Sequence, residues 1–215
     1  MDTTPRIWRF RGKLARSAYA PHVATRTKTP SAQDSFAQAL ESLRRVATRP
    51  EIRLTEVPAP ARIAPYAVAL TGEVIPGGDE DDLASGRFVL LHDPSCPEPW
   101  GGAWRAVTFA RAELEPEMGA DPLLGEVGWS WLTEQLAGYG LRFVAEAGTV
   151  TRVISESFGA MGDRDPSVEI EIRASWTPLG DDHGDHLLAW CDVLCTIAGL
   201  PPLPEGVVAL PGRRR

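Results

Sequence analysis

Hydrophobic residues recur with helical spacing in three segments of the chain. Residues 31–47 carry one apolar stripe with spacings of three and four, which predicts a helix that ends before a proline. Asp121 followed by proline predicts the start of a second helix, with the acid as its cap, extending to about Gly138 or Gly140. Residues 185–199 form a third, mostly apolar helix.

Between these helices, alternating apolar and polar residues predict strands. The longest alternation places Val107, Phe109, Arg111 and Glu113 on one side of a strand and small residues on the other. Gly148 is the expected site of a bend. The predicted strands are 52–57, 66–75, 86–93, 103–115, 141–158 and 167–178. A helix is an alternative for 66–75, and the Pro-rich stretch 57–65 is expected to be a connector.

Together these elements predict an α+β domain: an antiparallel sheet of about five to six strands with helices packed on one face. The sequence also predicts a duplicated strand-strand-helix unit, because both the second and the third helix follow an Arg-Ala pair and carry a Trp. Trp129 and Trp190, each followed by aliphatic residues and Ala-Gly, lie 61 positions apart. The element order is similar to that of type III secretion chaperone-like folds, an analogy that does not determine function.

The second helix is apolar around most of its circumference, which predicts that it is covered on more than one side. Either residues 31–48 or a second subunit would supply the additional cover. One apolar side has Leu123, Leu124, Val127 and Trp131, and the other has Trp129, Leu132 and Leu136.

Composition is that of an ordinary soluble domain: 43% of the 215 residues are hydrophobic and 24% are charged. We predict one domain over residues 31–204, a basic flexible tail over 1–30 and a C-terminal tail over 205–215. No apolar run reaches the roughly 20 residues of a membrane span, and the N-terminus lacks the apolar stretch of a signal peptide. With three cysteines, too few for a disulfide framework, a cytoplasmic location is expected.

Charge is distributed unevenly along the chain. The net charge is −7, and the +6 of residues 1–30 and the +3 of the last three arginines leave −16 for residues 31–212. An acidic body repels nucleic acid, so only the basic tail is a candidate for binding it.

Acidic residues crowd the end of the longest predicted strand. This segment, with the following helix, is our candidate binding surface, and its six residues are Arg111, Glu113, Glu115, Glu117, Asp121 and Trp129. Alternate strand positions put the first two glutamates on one face, where they could hold a metal ion. The alternative function is therefore a metal-assisted hydrolase that uses Glu113, Glu115 and Asp121. A solvated strand edge is the favoured interpretation, because Arg111 shares the face and no phosphate-binding Gly loop accompanies it.

Two further groups could bind metal. His183 and His186 lie in the acidic stretch 181–186, for which a helix-capping turn is the favoured interpretation over a zinc site. Cys191 and Cys195 are four residues apart among aliphatic residues, so burial in the core is favoured. We assign no catalytic residue, no metal ligand and no cofactor.

Catalytic sequence motifs are absent: the chain has no G-x-S-x-G, Walker, G-x-G-x-x-G or C-x-x-C pattern. Together with the two-sided apolar helix, this favours a non-enzymatic protein-binding or adaptor role, either as a homodimer or with another protein partner.

Several segments also resemble a known family. The stretches GRFVLLHDP, EVGWSWLTE, VEIEIRASWTP and HLLAWCDVLCTIAGLPP are similar to the actinobacterial family called Domain of Unknown Function 3000 over residues 31–204. The resemblance implies an actinobacterial source and a cytoplasmic location. The family has no assigned activity, so no catalytic residue is carried over.

Overall fold

A computed structural model of the chain describes residues 30–76 and 82–202. The predicted tails fall almost entirely outside the described residues. The described helices are α1 (Ala32–Arg44), α2 (Leu124–Gly138) and α3 (His183–Ile197). The described strands are β1 (Ile52–Val57), β2 (Tyr66–Val74), β3 (Ala84–His92), β4 (Trp104–Leu114), β5 (Arg142–Ser155) and β6 (Ser167–Leu179). Short 3-10 helices occupy Glu98–Trp100, Pro116–Ala120 and Gly159–Met161.

The six strands form one antiparallel sheet in the order β1-β2-β3-β4-β6-β5, which confirms the predicted α+β class. Hairpins connect β1 to β2, β2 to β3, β3 to β4, and β5 to β6. Helix α2 carries the chain from β4 past the position of β6, so that β5 becomes an edge strand. No described helix is long and apolar enough to cross a membrane.

The helices cover one face of the sheet. Helix α3 lies over β2, β3, β4 and β6, while α2 lies over β5 and beside α3. The alternation predicted for β4 is confirmed, since Ala106, Ala110 and Ala112 are buried on the helix side. Small residues on the central strand let the helices approach closely, and the aromatic rings of the helices fill the space that remains.

Tryptophan and glycine form the closest contacts between the two layers. A Cβ at Gly72 or Gly86 would overlap the ring of Trp190, which is only 1% exposed. A Cβ at Gly148 would likewise overlap the ring of Trp129. Each tryptophan therefore lies directly on strand backbone.

Two strand-strand-helix units follow one another, β3-β4-α2 and β5-β6-α3. When 62 is added to the residue numbers of β4, Ala110 corresponds to Ile172, which is also its pairing partner on β6. Arg111-Ala112 then corresponds to Arg173-Ala174. Strands β4 and β6 are therefore related by a local twofold axis through the pair Ala110–Ile172. The helix tryptophans differ by 61 because Trp129 follows Ala112 by 17 residues, whereas Trp190 follows Ala174 by 16.

Helix α1 corrects one prediction. It begins at the predicted place, where Ser31 and Asp34 form reciprocal capping hydrogen bonds. However, it packs on α3 and not on α2. The cover proposed for α2 from residues 31–48 is therefore wrong, and Leu123 remains 57% exposed.

Two local boundaries also differ from the sequence-based expectation. Helix α2 begins at Leu124 and not at Asp121, whose carboxylate accepts a hydrogen bond from the Leu123 N–H (2.8 Å). Strand β5 is irregular between Val144 and Ala147, where Ala145 has φ 53°, and not at Gly148. Gly148 cannot supply the bend because it lies in regular pairing beneath Trp129.

Within the part of the chain that the structure describes, the opposite face of the sheet is covered only at one end. There the connector between β1 and β2 and the 3-10 residue Trp100 pack on Ala69, Val89 and Leu91, which form a second, smaller core. Beyond this point no described helix lies over the sheet, so the side chains of this open face are available to solvent.

We predict that Gly86→Ala lowers the free energy of unfolding by about 1–3 kcal/mol, because the new Cβ meets the Phe109 carbonyl oxygen and the Trp190 ring. Gly138→Ala is the matched control, since a Cβ there has nothing within 4 Å. It should be neutral or stabilising by up to about 1 kcal/mol. Denaturant unfolding of both variants measures the difference, and equal stabilities would contradict the close helix-sheet contact.

Candidate functional site

The open face is a set of cross-strand rows fixed by the sheet register. One row places Arg87, Phe109 and Arg173 side by side on β3, β4 and β6. The Arg173 guanidinium lies 5.2 Å from the centre of the Phe109 ring, a cation–π distance. The neighbouring row contains Val107, which is 38% exposed. The centre of the open face is therefore apolar and is flanked by Arg87 and by Arg173, whose guanidinium forms a salt bridge with Glu171 (2.8 Å).

The next rows toward the end of β4 are polar. Arg111 lies between Ser85 and Glu171, and Glu113 lies directly opposite Glu169. A shallow pocket of about 110 Å³ opens here between β3, β4 and β6, and among its lining residues are Asp82, Ser85, Arg111, Glu113 and Glu169.

The two glutamates form a close like-charged pair. Just beyond the β3–β4 ladder, the Asp93 N–H donates a hydrogen bond to the Ala103 carbonyl oxygen (2.8 Å). In an antiparallel ladder every second residue bonds to the same neighbour, so the backbone groups of odd-numbered β4 residues bond to β3. Those of even-numbered β4 residues bond to β6. Glu113 and Glu169 are therefore a non-hydrogen-bonded pair, the type in which side chains lie closest. Among the described residues, neither carboxylate is in a salt bridge. Like charges directly opposite one another destabilise a sheet.

The structure divides the six residues of the candidate binding surface. Arg111 and Glu113 lie on the open face, whereas the Trp129 ring lies on the helix side over Gly148. Glu115 and Glu117 are exposed beyond the end of β4, and Asp121 caps the turn before α2.

No group of three or more His, Cys, Asp or Glu side chains that could hold a metal ion occurs within residues 30–76 and 82–202. Glu113, Glu115 and Asp121 are not brought together as the hydrolase alternative requires. This geometry gives that alternative no support.

Sequence reasoning did not select Phe109 and Glu169, although a signal was present. Phe109 was already placed on the side of the strand that carries Arg111 and Glu113. Glu169 follows from the alternation of residues 167–172, but its position opposite Glu113 depends on strand order.

A partly buried cluster of histidine and aromatic rings lies beneath α1 and was not predicted from the sequence. The Trp104 ring lies between two histidine rings, each with its centroid 4.1 Å away: His92 is stacked on it, and His183 is tilted by 43°. Phe36 of α1 and Tyr66 of β2 complete the cluster. The Nδ1 atoms of both histidines are buried without a hydrogen-bond partner.

The acidic stretch before α3 has a different role from the one expected. Asp182 occupies the N-cap position but makes no side-chain capping bond. Instead, Ser42 of α1 accepts a hydrogen bond from the Gly184 N–H (2.9 Å). His183 and His186 point into the core, and the His186 Nδ1 accepts from the Trp176 indole (3.0 Å).

Burial keeps these side chains uncharged. It lowers the pKa of His183 and that of His186 to about 4, by desolvation of the imidazolium form. Burial likewise raises the pKa of Cys195 to about 12 and that of Cys191 well above its ordinary value, so neither thiol is activated. The prediction that both cysteines belong to the core is confirmed.

Asp192 and Tyr139 form a further polar contact between the helices. The Tyr139 hydroxyl donates to the Asp192 carboxylate (2.7 Å), which joins the C-terminal end of α2 to α3. Burial raises the pKa of Asp192, and the hydrogen bond from Tyr139 opposes that shift. The contact adds a polar link between the two helices.

We predict that the protein loses stability as the pH falls from about 6.5 to about 4. A histidine whose folded-state pKa is depressed contributes stability that is present above the unfolded-state pKa and is lost on acidification. The shift of each imidazole corresponds to at most about 3 kcal/mol.

In the variant His183→Phe, the free energy of unfolding should depend less on pH. The variant should still fold, because the replaced Nδ1 atom makes no hydrogen bond. The control His186→Phe leaves the buried Trp176 N–H unpaired and should cost about 1–3 kcal/mol at neutral pH. Denaturant unfolding at several pH values measures both effects. A pH dependence of His183→Phe identical to that of the unmodified protein would contradict the prediction.

Comparison with known proteins gives a family but no function. No curated protein and no solved structure matches the chain. The similarity in element order to secretion chaperone-like folds therefore stays a prediction. A family model matches residues 32–208, and the chain belongs to that family, whose description is Protein of unknown function (DUF3000).

Proposed function

We propose that the protein is a non-enzymatic, cytoplasmic protein-binding module that acts as a homodimer and binds a protein partner on its open face. The observation that carries the proposal is that Glu113 and Glu169 face one another on a sheet face that no described α-helix covers. Neither carboxylate is in a salt bridge with a described residue, and a local stability cost of this kind is expected where side chains serve a ligand.

The surroundings of the pair support a protein ligand. Val107 and Phe109 offer apolar contact area at the centre of the face, and aromatic side chains are enriched at protein interfaces. Arg87 and Arg173 flank this centre. A surface with mixed charge around an apolar centre is typical of protein–protein interfaces and gives specificity by electrostatic complementarity.

The partner's chemistry follows from this arrangement. It presents a Lys or Arg side chain to the two glutamates and an apolar side chain to Val107 and Phe109. The cation would remove the repulsion between the carboxylates, so the pair would be more favourable in the complex than in the free protein.

We predict that Glu113→Gln raises the free energy of unfolding by about 0.2–1 kcal/mol, because it removes the like-charge pair, and at the same time weakens partner binding. Glu134→Gln is the matched control, since this exposed glutamate lies on α2 away from the open face.

The measurement has two parts. Denaturant unfolding compares the stabilities, and quantitative affinity capture from the host lysate compares the proteins bound by the unmodified chain and by both variants. A partner that is lost with Glu113→Gln and retained with Glu134→Gln supports the proposal. Capture of the same proteins by all three baits, or no gain in stability, counts against it.

A further inference from the structure

Strand β5 is a long edge strand with unpaired backbone groups. The backbone groups of even-numbered β6 residues bond to β4, so those of odd-numbered β6 residues bond to β5. Because the register pairs odd with odd residues, the odd-numbered residues of β5 bond to β6. The N–H and C=O groups of Gly148, Val150, Arg152 and Ile154 therefore point away from the sheet. No described strand pairs with this side of β5.

The other edge of the sheet is different. Strand β1 has six residues, includes Arg53 and Glu56, and is followed by two prolines within three residues. Short length, charge and proline are the usual means of preventing an edge from pairing. Strand β5 has 14 residues and, from 147 to 155, a single charged residue.

That one charge is already engaged within the chain. Arg152 donates to the backbone carbonyl oxygens of Gly119 and Asp121, at the start of the segment that leads into α2. Its side chain lies on the helix side of the sheet, so its charge does not block the edge.

An irregularity limits the segment that can pair. Ala145 leaves extended geometry, and Arg105 holds the Ala145 carbonyl oxygen (2.7 Å) together with the side chains of Ser175 and Thr177. Regular pairing with β6 then runs from Ala147 to Ser155. The centre of this regular segment is Thr151.

We infer that two copies of the chain pair antiparallel through β5, with Thr151 opposite Thr151 across a twofold axis. This inference specifies the interface of the homodimer in the proposed function and rests on it in that respect. The outward backbone groups of residues 148–154 of one copy would bond to those of the other, and the two sheets would form one continuous sheet with all helices on the same side.

Side chains on the helix side fit this register. Residue 148 of one copy lies opposite residue 154 of the other, so the exposed Ile154 meets the Trp129 ring that covers the partner's Gly148. On the open face, Thr149 lies opposite Val153. Thr and Val both favour pleated surfaces, and both contacts occur twice in the pair.

The position of α2 also suits this arrangement. Gly128 lies between Val150 of β5 and Ile170 of β6. The axis of α2 therefore lies above the gap between these two strands, about half of the distance between neighbouring strands from the edge strand β5. Across the axis the two α2 helices would be about 10 Å apart, a packing distance for helices. Gly125, four residues before Trp129 on the same side of α2, has nothing within 4 Å of its Cβ position and leaves room for the partner's ring.

The test is a charge exchange at the axis. By light scattering over a concentration series, the full-length chain should be a dimer, and Thr151→Lys and Thr151→Glu should each be monomeric because two like charges meet at the axis. An equimolar mixture of the two variants should regain the dimer, with one copy of each. Thr55→Lys is the matched control, an exposed threonine on the open face of the other edge strand, and should remain dimeric.

The outcomes separate this interface from the wider proposal. A monomer at every concentration would overturn both the interface and the homodimer. Dimers of Thr151→Lys, or no recovery in the mixture, would overturn the β5 interface alone. Partner capture on the open face is tested independently by Glu113→Gln.

A second readout is Thr151→Cys combined with Cys96→Ser, which removes the exposed native thiol. This variant should cross-link on oxidation, since facing residues of this pair type lie within disulfide reach.

Discussion

The contact of tryptophan rings with strand glycines is the constraint on which the rest of the structure depends. Trp190 lies on Gly72 and Gly86, and Trp129 lies on Gly148, so both helices approach the sheet more closely than side chains at these strand positions would allow. Close approach buries the helices' apolar sides against the alanines and branched residues of the central strands. Because interiors are packed to crystal-like density, the positions of the two helices are fixed by these contacts.

With the three described helices on one side, the other face and one edge of the sheet are not covered by any described α-helix or strand. The open face carries an apolar centre and a pair of facing glutamates, and the edge carries unpaired backbone groups along β5. These two surfaces are perpendicular to one another. A dimer joined at the edge would therefore double the open face without covering it, which makes the two proposals compatible.

Part of the candidate site could be predicted from the sequence. Alternation along residues 103–115 placed Arg111 and Glu113 on one side of a strand, and the structure confirms that side as solvent-accessible. Trp129 was grouped with these residues because it is near them in the sequence. It lies on the opposite side of the sheet, since the chain turns over the end of β4 before α2. Sequence proximity could not reveal this change of face.

By itself, the sequence determined the elements and the α+β class, because periodicity and turn residues are local properties of the chain. It also determined the burial of Cys191 and Cys195. Only the tertiary structure decided that α1 packs on α3, that Trp104 lies between His92 and His183, and that Glu113 faces Glu169. These are contacts between segments far apart in the chain, and they depend on strand order and register. Many registers suit the same alternation, and packing of the whole core selects one.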